Sequence, residues 1–239
     1  MPETFYTPGP ARARRVNDLF ATIAPRYDLI NDLQSFGLHR YWKRRLIQLA
    51  APVPGQKALD LCCGTGDVAF WLAEAGAEVV GLDFSGPMLE VARERALSAR
   101  RREAVSLVQG DALHLPFASE SFDLVTISYG LRNLADFRAG LIEMLRVLRP
   151  GGKVLILDFG KPDFAPWRAS YFAYLKFLVP VFGKIFCGNS ATHAYILESL
   201  RKYPAQNGVA ALLRELNCSE VSFENLLGGV MSINWARKT

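Results

Sequence analysis

The chain is poor in the residues that staple or metallate a fold. Its 239 residues include four cysteines and three histidines. Cys62 and Cys63 are adjacent, Cys187 and Cys218 stand alone, and no C-x-x-C pair occurs. Neither a disulfide framework nor a zinc site is indicated, and no metal is expected. Long uncharged runs are also missing. The aromatic-apolar tract Phe164 to Cys187 is interrupted by Lys176 and Lys184 and falls short of the roughly 20 apolar residues that span a bilayer. Met1 to Ala11 holds Glu3 and three prolines without an apolar core, which does not read as a signal or transit peptide. The expectation is a cytoplasmic protein. There is no internal repeat and no low-complexity tract.

Half of the residues are hydrophobic and 21% are charged, a soluble globular composition. A chain of this length suits one domain that buries roughly 70–75% of its unfolded surface. The formal charge of +5 and pI near 9.1 come from clusters at Arg12, Arg14, Arg15, at Arg40, Lys43, Arg44, Arg45 and at Arg100, Arg101, Arg102. These read either as solvated helix faces or as attraction to an anionic membrane surface or nucleic acid.

The organising stretch is A-L-D-L-C-C-G-T-G-D, Ala58 to Asp67. An apolar run, a glycine pair and a following helical pattern predict a buried strand, a tight turn and a helix. Gly64 and Gly66 let the backbone approach a ligand held at the strand's carboxyl end. Gly64-x-Gly66-x-x-Ala69 with Asp83 19 residues after Gly64 fits a dinucleotide site as well as an adenosyl site. The acids separate the two. Asp60 closes the strand and Asp67 opens the helix, so carboxylates flank the place a pyrophosphate would occupy. A charge pair at 4 Å is worth about 4 kcal/mol at an effective dielectric of 20, repelling pyrophosphate and attracting a cation. S-adenosylmethionine carries an ammonium and a sulfonium, and the balance tips to this methyl donor. Asp83, after the second apolar run, is placed to accept from ribose hydroxyls.

Strands and helices alternate from Ala58 onward, which predicts an α/β fold with a parallel sheet. Three short helices precede it, over Val16 to Ala24, Asp28 to Phe36 and Leu38 to Leu49; this segment, which includes Tyr27, Asn31 and His39, can cover the ligand and complete a substrate pocket, His39 being a natural general base if a proton lies within reach. Asp111 follows the third strand, either as a contact to an adenine amino group or as a turn cap. Ser128 to Asn133, after the fourth strand, faces the donor from the far side of the first strand and is the best place for a substrate-directed residue. The tract from Phe164 to Cys187, broken by Pro166, Pro180 and Gly183, reads as a helical cap or an apolar lid. Two last strands, Cys218 to Asn225 and Val230 to Ala236, form an antiparallel hairpin at the sheet edge. The single domain divides into residues 1–52, a donor-binding core 53–160, a cap 161–205 and a C-terminal segment 206–239.

R-Y-D-L-I-N-D-L-Q-S-F-G-L-H-R-Y-W-K-R (Arg26 to Arg44), L-D-L-C-C-G-T-G-D, A-L-H-L-P-F (Ala112 to Phe117), I-S-Y-G-L-R-N (Ile127 to Asn133), R-V-L-R-P-G-G-K and L-D-F-G-K-P (Leu157 to Pro162) occur in an order that resembles the menaquinone/ubiquinone-biosynthesis C-methyltransferases. The resemblance implies a class I S-adenosylmethionine-dependent methyltransferase fold, a Rossmann-like seven-stranded sheet with its last strand antiparallel. It implies donor contacts at Thr65, Asp83, Asp111, Ala112 and Ser128, beside Asp60, Gly64 and Gly66 of the turn. The family often has Asn at the position of Asp111, and Cys62 stands where many methyltransferases have a first glycine. The implied substrate is a prenylated quinol, most simply demethylmenaquinol, with a benzoquinol, another lipid or RNA as the alternatives. A ring carbon next to an ionised hydroxyl is the nucleophile. Arg132 would hold the anion, since its charge persists at any working pH, although the family's matching Arg has also been considered as the base; His39 or Tyr27 would move the proton. The aromatic tract would take the prenyl tail, and the basic clusters would dock the enzyme on the inner face of a membrane. No nucleic-acid partner is implied, because no basic-aromatic module follows the fifth strand; a homo-oligomer is left open.

Overall fold

A computed structural model describes residue 18, residues 20–187 and residues 191–239, without the side chains of residues 25 and 182–195. Seven strands form one sheet: β1 (Lys57–Leu61), β2 (Glu78–Asp83), β3 (Val105–Gln109), β4 (Phe122–Ser128), β5 (Leu148–Phe159), β6 (Cys218–Leu226) and β7 (Met231–Lys238). Their order is β3-β2-β1-β4-β5-β7-β6. β1 to β5 pair in parallel, while β7 runs antiparallel to both β5 and β6. The strand order reverses between β1 and β4, where a crevice opens beyond the carboxyl ends of an α/β sheet.

The central strands are buried on both faces, as parallel strands covered by helices must be. Leu59, Leu61, Leu124, Ile127, Leu155 and Leu157 have no exposure, and each contributes roughly 1.5–3 kcal/mol of burial. Before the sheet come α1 (Tyr27–Ser35) and α2 (Leu38–Ala50); α3 (Asp67–Glu74), α4 (Gly86–Ala96) and α5 (Phe137–Val147) are its crossover helices. Asp136 caps α5 by accepting from the backbone N–H groups of Arg138 and Ala139 at 2.9 and 3.0 Å, as its place before an amphipathic run predicts. Then α6 (Ala165–Cys187), α7 (Ala191–Lys202) and α8 (Ala205–Glu215) precede the final hairpin.

β5 begins at Leu148, directly after α5, and contains Pro150, Gly151 and Gly152. One expectation changes: α6 is one helix of 23 residues with Pro180 inside it. Pro166 lies in its first turn, where a missing N–H costs little. Pro180 loses one internal hydrogen bond, while Tyr171, Leu175 and Val179 on the inner face, at 5%, 3% and 2% exposure, hold the helix to the core. The expected helix from Val16 falls partly outside the described residues, and the Arg12, Arg14, Arg15 cluster lies wholly outside them.

Candidate active site

The turn after β1 is built from left-handed backbone. Cys62, Gly64 and Gly66 have φ of 52°, 55° and 91°. At Gly66 an added Cβ would lie 2.5 Å from the Phe70 ring, so packing as well as φ excludes a side chain. Asp83 ties the turn to β2: its Oδ2 accepts the Gly64 N–H at 2.8 Å and its Oδ1 the Ser85 N–H at 2.8 Å. Burial raises the Asp83 pKa, and these backbone donors oppose it.

A chamber of about 860 Å³, measured to its open mouth, lies over this turn and is lined by Gly64, Asp83, Asp111, Ala112 and Ser128. Three further candidates, Asp60, Thr65 and Gly66, are absent from its wall. Asp60 is 1% exposed beneath the turn, where its Oδ1 accepts from the Thr126 hydroxyl at 2.8 Å; burial pushes its pKa up to about 7. The Thr65 hydroxyl donates to Asp28 Oδ1 at 3.0 Å. Two buried hydroxyls of the chamber wall, Ser85 Oγ and Ser128 Oγ, have no hydrogen-bond partner among the described residues. A polar, adenosyl-sized ligand fits such a wall, because orphaned buried hydroxyls call for partners.

Asp67 corrects the electrostatic argument drawn from sequence. It does not face the chamber as a free acid. Its Oδ2 accepts from Lys43 Nζ at 2.8 Å, and its Oδ1 is ion-paired with Arg95 Nη2. Burial would raise its pKa, but Lys43 and Arg95 outweigh it and hold it at about 2. Arg95 Nη1 also donates to Asp28 Oδ2 at 3.0 Å and to the Thr65 carbonyl at 2.9 Å. The arm that contains α1 is thereby fastened to the glycine turn after β1. Lys43, read from sequence as part of an exposed basic cluster, is 6% exposed. Its neighbours are also engaged: Arg40 pairs with Asp32, Arg45 with Glu224, and Arg44 lies 5.6 Å from the Trp71 ring.

A second chamber, about 990 Å³ to its mouth, lies between α1, α2 and α6. Among the described residues it shares with the first only Phe20, Tyr27 and Tyr129. Its wall is largely apolar, with Ile30, Trp42, Leu175, Val179 and Ile196, and contains Asn31, His39, Arg132 and Tyr171 as polar groups. Thus Tyr27, His39 and Arg132, far apart in sequence, meet in one place. Asp158 at the end of β5 fixes Arg132: its Oδ2 accepts the Arg132 backbone N–H at 3.0 Å, and its Oδ1 lies 3.2 Å from Arg132 Nε. Arg132 Nη1 donates to Asn133 Oδ1 and Ser199 Oγ at 2.9 Å each, and the guanidinium sits 4.6 Å from the Phe159 ring centroid. Asp158 is 1% exposed; burial raises its pKa, and Arg132 opposes the rise.

A model of the ubiE/COQ5 methyltransferase family matches residues 10–238. The chain belongs to this family. It is 40% identical over 233 residues to the demethylmenaquinone methyltransferase of Desulfitobacterium hafniense, covering 96% of this chain and 92% of the relative. To the protein of the same name from Beutenbergia cavernae it is 44% identical over 223 residues, covering 93% and 90%. Among solved structures, a SAM-dependent methyltransferase from Aquifex aeolicus aligns with a TM-score of 0.60 at 15% identity, over 97% of this chain and 99% of that one. Phosphoethanolamine N-methyltransferase 2 of Haemonchus contortus, solved with S-adenosyl-L-methionine, aligns at 0.60 with 19% identity, over 82% and 52%. The class I methyltransferase fold inferred from sequence, with its antiparallel last strand, is the fold of this family member. Sequence reasoning missed Asp28, Lys43, Arg95, Asp158 and Ser199. For Lys43 a signal existed: it falls at helical spacing between His39 and Leu46, on the buried stripe that includes Ala50.

Proposed function

We propose that this protein transfers the methyl group of S-adenosylmethionine to a ring carbon of a prenylated quinol, converting demethylmenaquinol to menaquinol. The observation that carries this reading is the pair of chambers meeting at Phe20, Tyr27 and Tyr129. One is polar-edged at the strand ends; the other is apolar and contains a buried arginine. When bound, the donor supplies an electrophilic methyl group. Gly64, Asp83, Asp111, Ala112 and Ser128 hold it from the chamber wall, while Asp60, Thr65 and Gly66 support the turn from behind. In the second chamber Arg132 stabilises the ring oxyanion that makes the adjacent carbon nucleophilic, and its ion pair with Asp158 keeps the guanidinium oriented. His39 and Tyr27 are the candidates for moving the hydroxyl proton. The aromatic walls between the chambers exclude water from the reacting atoms.

The tail and the membrane complete the reading. Tyr171 and Leu175 are buried on α6, yet Leu178, two turns past Tyr171 on the same face, is 51% exposed, and Phe177 and Val181 are 61% and 55% exposed. The helix overhangs the chamber and offers an apolar edge where an isoprenoid would leave it. Lys176 Nζ lies 5.1 Å from the Phe177 ring centroid, the arrangement of a cation that snorkels to a headgroup above a buried ring. No helix among the described residues is long and apolar enough to cross a membrane, so the contact proposed is peripheral, at the inner face. Binding to anionic liposomes should weaken with salt.

The test is methyl transfer from labelled donor to short-tail demethylmenaquinol and to the matched benzoquinol, each supplied reduced and oxidised, with products identified by mass. Transfer to the reduced naphthoquinol alone is the expected result. Transfer to neither ring, with donor binding intact, would overturn the quinol reading.

A further inference from the structure

The hydrogen bonds around His39 determine where its proton resides. Ser35 Oγ lies 2.6 Å from the Asn31 carbonyl oxygen. A carbonyl only accepts, so the single hydroxyl proton of Ser35 is committed there. What remains on Ser35 Oγ is lone pairs. One accepts the His39 backbone N–H at 3.1 Å, and His39 Nδ1 stands 3.0 Å from the same oxygen. Two acceptors cannot share a bond, so Nδ1 carries a proton and donates it. Asp32 Oδ1, 3.7 Å from Nδ1, favours the same tautomer.

A neutral imidazole protonated at Nδ1 leaves Nε2 with a bare lone pair. His39 Nε2 is buried and has no hydrogen-bond partner among the described residues, and the ring lines the second chamber. The ring is neutral near pH 7 because burial, foremost, and then Lys43 lower its pKa. The charged groups around it are Asp32 on α1, Arg40 and Lys43 on α2 and Asp67 on α3; the two carboxylates oppose the shift without reversing it. The other candidates are worse bases. Burial raises the phenol pKa of Tyr27, which keeps its proton in place, and Arg132 is ion-paired with Asp158, which favours the charged guanidinium.

We infer that Ser35 fixes His39 as the Nδ1–H tautomer, so that Nε2 takes the ring-hydroxyl proton of the acceptor while Arg132 holds the oxyanion. This rests on the quinol reading above. The proton passes from the ring oxygen to Nε2, giving an imidazolium, and the oxygen's electrons delocalise onto the adjacent carbon. That carbon forms its bond to the methyl group as the methyl–sulfur bond breaks, its electron pair remaining on sulfur. The ring carbon then loses its hydrogen as a proton to water and the imidazolium returns a proton to the ring oxygen. Overall one proton is released per methyl group transferred. His39 is the general base, and Ser35 is a positioning residue that acts through it.

Three variants and one spectrum test the inference. His39→Ala should lose about 10²- to 10⁴-fold in kcat with ordinary naphthoquinol. The loss should shrink with a chlorinated naphthoquinol, whose hydroxyl is more acidic, and on addition of imidazole. Ser35→Ala should lower kcat with little change in acceptor KM, and Ser35→Thr should restore it. Independently of turnover, ¹⁵N spectra of the wild type should show His39 Nδ1 protonated and Nε2 unprotonated, with the two forms mixing in Ser35→Ala. An equal loss on both acceptors without imidazole rescue, or a protonated Nε2 in the neutral wild type, would overturn the inference. If the wild type methylates no quinol, the base role falls with the quinol reading, and the nitrogen shifts still decide whether Ser35 sets the tautomer.

Discussion

Replacing Asp67 with asparagine isolates the ion network beneath the glycine turn. The carboxylate's pKa falls from 3.8 to about 2 in the folded protein, a shift that corresponds to about 2 kcal/mol. Because the folded pKa is depressed, this stability is present above pH 4 and is lost as pH falls from about 4 through 2. The side chains of Asp67 and Lys43 are 12% and 7% exposed, so solvent screens the pair weakly. The asparagine keeps the side chain's shape but leaves Lys43 buried without its counter-charge, and breaking one side of a buried pair costs about 3–5 kcal/mol. Asp67→Asn should therefore lower unfolding free energy by about 2–5 kcal/mol at pH 7. Urea titrations at pH 7, 5 and 3, with unchanged m-values, would measure it. The difference between wild type and variant should hold at pH 7 and 5 and narrow at pH 3. A difference below about 0.5 kcal/mol at pH 7, or one that does not narrow in acid, would refute the account of this network.

Asp60 should behave in the opposite sense. Its folded pKa is raised to about 7, so the wild type loses stability as pH rises from 4 through 7, by at most about 4 kcal/mol; Asp60→Asn, which can still accept from Thr126, should gain over wild type at pH 8 and not at pH 4 in the same urea assay. Arg132→Lys cannot reproduce a planar guanidinium held on Asp158 and Ser199. It should reduce kcat by about 10²-fold or more while calorimetric donor affinity stays within twofold; a large loss of donor affinity would show that Arg132 serves the other chamber. Gly66→Ala forces a side chain onto φ 91° and into the Phe70 ring, and should cost about 1–3 kcal/mol together with donor affinity, read by thermal unfolding and calorimetry.

Much of this was legible in the chain because it is local. The alternation of parallel strands and helices from Ala58, the glycine turn and the last two strands follow from patterns a few residues long, and the structure has each of them. Pro180 misled because a local rule met a tertiary contact: the buried Tyr171, Leu175 and Val179 stripe keeps the helix intact through it. The ion network was not legible for the same reason. Asp67 looks like a free acid beside a ligand until Lys43 and Arg95, 24 and 28 residues away on other helices, are folded against it. Likewise Arg132 reads as an anion holder from its loop, but its orientation depends on Asp158 and Ser199, 26 and 67 residues further on. Asp60, Thr65 and Gly66 show the limit of a motif. It marks the turn without saying which of its atoms line the chamber and which face the core.

The two chambers share three aromatic side chains and little else, and under the proposed peripheral contact this separation bears on how often the protein would leave a lipid surface. On that reading a spent water-soluble donor and a lipid product would depart by different routes, and neither would have to wait for the other. An enzyme resting with α6 against a bilayer can reload from the aqueous side and meet the next acceptor by lateral diffusion. Its progress curves on vesicles would then show many turnovers on one vesicle before any exchange to another, with the surface density of acceptor, rather than its bulk concentration, setting the rate.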